Sequence, residues 1–176
     1  MKILAVLTSA ASVPATLDAA ALAAAALADA SIEALEVVVE PGHMMASSEE
    51  VSIQQLRELK EGTPQARARA VRTAFDAWTA GRDPQATSVF WRSVTGAETD
   101  GVVREAGPDV ALLVVSHDAN MDASDALHAA IFSTGKPVML VPPTWRAKGR
   151  ARFAQIAVGL IEDVTMRHAI RAADPW

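Results

Sequence analysis

Ser116-His117-Asp118 sets a hydroxyl, an imidazole and a carboxylate side by side, directly after the apolar run Ala111-Leu112-Leu113-Val114-Val115. Those groups are the parts of nucleophilic hydrolysis, and Thr8 and Ser9 add two hydroxyls after another apolar run. Adjacent residues at a strand end point in different directions, however, and a triad is defined by its geometry in space rather than by adjacency in sequence. The polar stretch continues through Asn120 to Ser124 and carries Asp118 and Asp122, with Asp125 just beyond and no glycine. A loop that cradles phosphate needs bare backbone N–H groups, so side chains and negative charge here argue against a nucleotide. The stretch reads as a solvated loop, or as a small-ligand or degenerate adenine-nucleotide pocket, and not as a catalytic centre.

The other groups with chemical potential read as structural. His43-Met44-Met45 would suit a soft metal only beside a second such cluster, and the sequence has none. His128, one turn before Phe132, is expected to be a partly buried structural histidine, and His168, beside Arg167 and Arg171, a surface residue. The absence of cysteine excludes a disulfide framework, a thiol nucleophile and a zinc-thiolate site. A net charge of -5 leaves no broad basic footprint for nucleic acid. The basic run Arg146, Lys148, Arg150 and Arg152 is short, with Trp145 as its aromatic neighbour.

These residues need a scaffold. With 176 residues, 51% of them hydrophobic and 21% charged, the chain fits one globular domain with a substantial core. Residues 3–7, 32–39, 86–94, 111–115 and 137–141 read as strands. The first and fourth are continuous apolar runs, as strands buried on both faces of a parallel sheet must be. Between them lie helical stretches: 14–27, nearly all alanine and leucine with Asp18 its one charge; 47–60, opened by a Ser47…Glu50 capping box; and 63–80. Residues 98–106 and 125–133 follow, the last capped by Ser124 and closed by Gly135. Val71, Phe75 and Trp78 share one face of the third of these, with Arg67, Arg69 and Arg72 between them as a solvated face. Strands alternating with helices imply an open, doubly wound parallel α/β sheet. In such sheets ligands bind beyond the carboxyl ends of the strands, where residues 116–124 lie.

Pro142-Pro143 closes this domain, residues 144–152 form a basic linker, and residues 153–176 repeat the opening strand and helix as a partial second unit. Such a fragment must dock on the domain or on another chain, and the fifth strand would otherwise be an exposed edge, so a homodimer or higher oligomer is expected. The opening apolar run is too short for a signal peptide, and no segment approaches the roughly 20 apolar residues of a membrane span, which points to the cytoplasm.

Taken together, residues 3–7, the arginine-bearing stretch 54–78, residues 108–116 and residues 125–142 resemble the universal stress protein family, in particular the first half of its tandem two-domain members. The resemblance implies a flavodoxin-like, five-stranded sheet in the order 3-2-1-4-5. Many members bind ATP through an aspartate after the first strand and a glycine-rich motif after the fourth. Here Thr8 stands in place of the aspartate, Ser116 and Ala119 in place of the opening glycines, and Ser124-Asp125 in place of the closing Gly-Ser. The expectation is therefore a non-enzymatic stress-response protein that acts through protein association, with no cofactor. The alternative is an AMP- or ATP-binding module whose crevice is built from Thr8, Ser9, Val39, Ser116, His117, Asn120 and Ser124.

Overall fold

Among the described residues, five strands form where the apolar runs predict them: β1 (Lys2–Val6), β2 (Ser31–Val38), β3 (Val89–Thr95), β4 (Val110–Ser116) and β5 (Val138–Val141). Every pairing is parallel, in the order β3-β2-β1-β4-β5. The helices are α1 (Val13–Ala25), α2 (Pro64–Ala80), α3 (Glu98–Glu105), α4 (Asp125–Phe132) and α5 (Met166–Ala173). This computed structural model describes residues 1–27, 29–39, 55, 56, 58–83, 87–117, 125–149, 152, 153 and 166–175. The expected strand at 154–160, the Ser47…Glu50 box and the His43-Met44-Met45 cluster lie outside them.

The side-chain period of two splits the central strands between two cores. Ile3, Ala5, Leu112 and Val114 pack with α1 and α2, whereas Leu4, Val6, Leu113 and Val115 pack with α3 and α4. Both faces of β1 and β4 are therefore covered, which is why their sequences are unbroken apolar runs. Alanine lets α1 lie close on the sheet, and only Pro14, Asp18, Ala21 and Ala25 of that helix escape full burial. Its one charge is put to use. Asp18 accepts the Trp78 indole N–H at 2.9 Å and the Ala147 backbone N–H at 3.3 Å, tying α2 and the segment after β5 to α1. Trp145 and Phe153 pack on the same core.

Thr63 caps α2 by accepting the Ala66 N–H at 3.2 Å, and Pro64 opens the helix. The preceding helical stretch ends at Gly62, whose φ of +84° suits a residue without a Cβ. Val71 and Phe75 are buried as their spacing predicts. The arginines between them depart from a simple solvated face. Arg69 is exposed, but Arg67 is largely covered and donates to the Gly62 carbonyl at 2.9 Å. Arg72 lies across the Phe75 and Trp91 rings and pairs with Asp76 at 2.9 Å. The Arg72 stem and flat guanidinium cover aromatic surface while the charge keeps contact with water.

α3 approaches β2 so closely that a Cβ at Gly101 would sit 2.8 Å from Val37 Cγ2. α4 buries Ala126, Leu127, Ala129 and Ala130. That leaves His128 on the exposed side, its ring 6.1 Å from that of Phe132, also exposed, which corrects the expectation of a partly buried histidine. Among the described residues, no helix is long and apolar enough to cross a membrane.

Candidate functional site

Over the carboxyl ends of β1 and β2 lies a cleft walled by Val6, Leu7 and Thr8, by residues 36–39, and by Pro64, Arg67, Ala68 and Val71 of α2. Glu98, the first residue of α3, and Ala126, in the first turn of α4, complete it. The cleft is partly open and its volume is ≈ 30 Å³, room for about two waters when each needs about 10–15 Å³. Polar and apolar groups share the walls about equally, and two nearly buried carboxylates stand out. Glu36 is 6% exposed and Glu98 8%.

Glu98 is the first residue of α3, a position where a negative charge meets the positive end of the helix dipole. Its Oε2 also accepts the backbone N–H of Ala126 at 3.2 Å, in the first turn of α4. The first N–H groups of a helix have no partner within it, and a helix that follows a strand offers them to phosphates. Here a carboxylate of the chain itself occupies that position.

Glu36 enters the cleft from β2. It falls in phase with Ile32 and Ala34, so the strand's alternation carries a carboxyl onto a buried face. Ser93, its register partner on β3, donates its hydroxyl to Oε2 at 3.1 Å, whereas Oε1 has no hydrogen-bond partner among the described residues. Burial pushes the carboxyl above its ordinary value of 4.5, and the Ser93 hydroxyl and the Arg72 charge only partly offset that push. The folded protein therefore holds this proton more tightly than the unfolded chain does. The stability it contributes is complete below the ordinary carboxyl value and is lost as the pH rises through the raised folded value. Urea unfolding followed from pH 4 to 8 is expected to show Glu36→Gln gaining stability on the wild type as the pH rises. A constant difference between the two across that range contradicts the assignment.

Of the residues expected at the crevice, Thr8 and Val39 are brought together as cleft walls. Ser9 is spent in the turn before α1, where its hydroxyl donates to Ser12 Oγ at 3.0 Å. Ser116 ends β4 and gives its hydroxyl to the Val141 carbonyl at 3.1 Å, and the His117 N–H bonds the same carbonyl at 3.0 Å. Both hold β5 rather than line the cleft. Asn120 and Ser124 lie outside the described residues. Glu36, Arg67 and Glu98 were not expected at the site. Glu36 alone carries a sequence signal, a charge in register with a buried strand face.

With that geometry established, solved structures offer a comparison. A universal stress protein crystallised in complex with cAMP superposes with a TM-score of 0.54 at 20% identity, covering 82% of this chain and 98% of that one. This chain has the universal stress protein fold. A second similar structure, of a hypothetical protein studied to assign its biochemical function, gives a TM-score of 0.46 at 17% identity, covering 80% and 94%. No family model matches the sequence, and no curated protein does. The five-stranded 3-2-1-4-5 architecture thus stands on topology and superposition together. Among the described residues, no group of three or more His, Cys, Asp or Glu side chains is placed to hold a metal.

Proposed function

We propose that this chain is a cytoplasmic universal-stress-type domain that works without catalysis, through association with a second copy or a partner protein, and that its strand-end cleft does not take a nucleoside triphosphate. One observation carries the reading: the Glu98 carboxylate already receives the Ala126 N–H at the start of α4. A phosphate entering there must displace a nearly buried anion from its donor and then sit beside it, and like charges at such range repel strongly where water is scarce. The fold likeness to a universal stress protein supports the family assignment.

Association has its own support. Among the described residues β5 is an edge of the sheet, its Leu140 is 47% exposed, and Phe132 at the end of α4 is 77% exposed. A strand edge and large exposed apolar side chains are surfaces that a protein normally covers. Light scattering at high concentration is expected to give at least the mass of a dimer, and a strict monomer contradicts that part.

The nucleotide part is tested by equilibrium dialysis with labelled ATP, with and without magnesium. No saturable binding is expected at micromolar ligand, and saturable micromolar binding overturns the reading. A second reading, an adenine-nucleotide module, draws on the cAMP held by the similar structure and on the place of the cleft at the strand ends, beside Thr8 and Val39. Saturable binding of AMP or cAMP in the same cells, without ATP, selects it.

A further inference from the structure

Among the described residues β3 is the second edge of the sheet, and it lacks the usual guards. Edge strands are commonly blunted by proline, by lysine, by a bulge or by being short. β3 runs seven residues in unbroken register with β2, without proline or lysine, and Arg92 is its one charge. Phe90 is 58% exposed. Phe90 and Arg92 lie on the face of the strand that carries Val94, the α3 side of the sheet.

The backbone shows which polar groups are open. The Ile32 N–H donates to the Ser88 carbonyl at 2.9 Å and the Gly96 N–H to the Val38 carbonyl at 3.1 Å, so the even-numbered residues of β3 turn their N–H and C=O groups to β2. Val89, Trp91, Ser93 and Thr95 turn theirs outward. An antiparallel neighbour must set its own outward residues opposite these, and a second copy of β3 does so about a two-fold axis. With the axis at Trp91, Val89 faces Ser93 of the partner subunit. Phe90 then faces the partner's Arg92 in a pair without hydrogen bonds, where side chains approach most closely. The other registers are poorer. An axis at Arg92 sets two guanidinium groups face to face, one at Phe90 or earlier pairs three strand residues at most, and one beyond Arg92 leaves Phe90 uncovered. On the opposite face the chain already makes such a contact: Arg72 lies 4.9 Å from the Trp91 ring centroid while paired with Asp76. Arg92 is held in the same manner by Glu105 at 3.3 Å, and stays exposed. We infer that β3 is an interface for a second copy of this chain, the two strands pairing antiparallel across Trp91 so that each Phe90 ring lies under Arg92 of the partner subunit.

This interface rests on the association proposed above and gives it a place. The chain has no cysteine, so Phe90→Cys and Arg92→Cys, both at exposed positions, each introduce a single thiol. Opposed residues in such a pair lie about 4.5 Å apart at Cα, within reach of a disulfide. Mixed under mild oxidation, the two variants are expected to give a covalent dimer with one chain of each, and neither variant alone is expected to cross-link as well. Absence of the mixed dimer, or equal cross-linking of either variant alone, overturns the pairing. Sedimentation provides a second measurement. Phe90→Lys, which sets a cation against the partner's Arg92, is expected to weaken the dimer by about tenfold or more. An unchanged dissociation constant overturns the β3 interface and leaves association through another surface standing, whereas a monomeric wild type overturns both.

Discussion

Phe75→Ala is expected to destabilise the protein by about 3–5 kcal/mol, the range for removing a buried aromatic ring. Phe75 is buried on the inner face of α2, and its ring centroid lies 4.9 Å from that of Trp91 on the edge strand β3, at an interplanar angle of 55°. That tilted contact is the favoured geometry for aromatic pairs. Arg72 lies over both rings, so truncation also removes the surface that holds its guanidinium. α2 supplies Pro64, Arg67, Ala68 and Val71 to the cleft, and loosening it exposes the buried Glu36 carboxyl. Urea unfolding followed by tryptophan fluorescence measures the loss. Phe75→Leu, which keeps much of the volume, is expected to lose clearly less, and equal losses contradict a specific ring contact.

Leu113→Ala is expected to cost about 2–5 kcal/mol, as leucine truncations in packed cores do. Leu113 is fully buried at the middle of β4, in register with Leu4 of β1 on one side and Val138 of β5 on the other. Its side chain belongs to the core beneath α3 and α4, where a cavity has packed neighbours on every side and little freedom to collapse. The midpoint of urea unfolding should fall while the slope stays unchanged, because the surface exposed on unfolding is nearly the same. A loss below about 1 kcal/mol, outside the range for buried leucine, contradicts the position assigned to this strand.

Both residues were legible in the sequence, for reasons that also explain what was not. Leu113 sits in an apolar run that only a strand covered on both faces needs, and Phe75 sits at helical spacing between Val71 and Trp78. Burial periodicity is a local property and survives translation into sequence. The crevice is different. Thr8 and Val39 follow their strands and meet because parallel strands end together, so position alone placed them there. Ser116 also ends a strand, but its hydroxyl turned to the Val141 carbonyl, a choice set by the β5 neighbour twenty-five residues away. Glu98 was invisible because its partner is the Ala126 N–H, and a carboxylate that opens one helix gives no local sign of capping another. His128 failed for a simpler reason. α4 buries the positions on either side of it, and its aromatic neighbour Phe132 faces outward too.

The central claim is that Glu98 holds the place at the head of α4 that a phosphate would need. The amide signal of Ala126, followed while magnesium-ATP is added to the labelled wild-type protein, reports on that place directly. The account predicts that it stays where it is through millimolar nucleotide, with its N–H still bonded to Glu98. A saturable displacement of the Ala126 signal at micromolar ATP would show the carboxylate yielding to phosphate and would contradict the account.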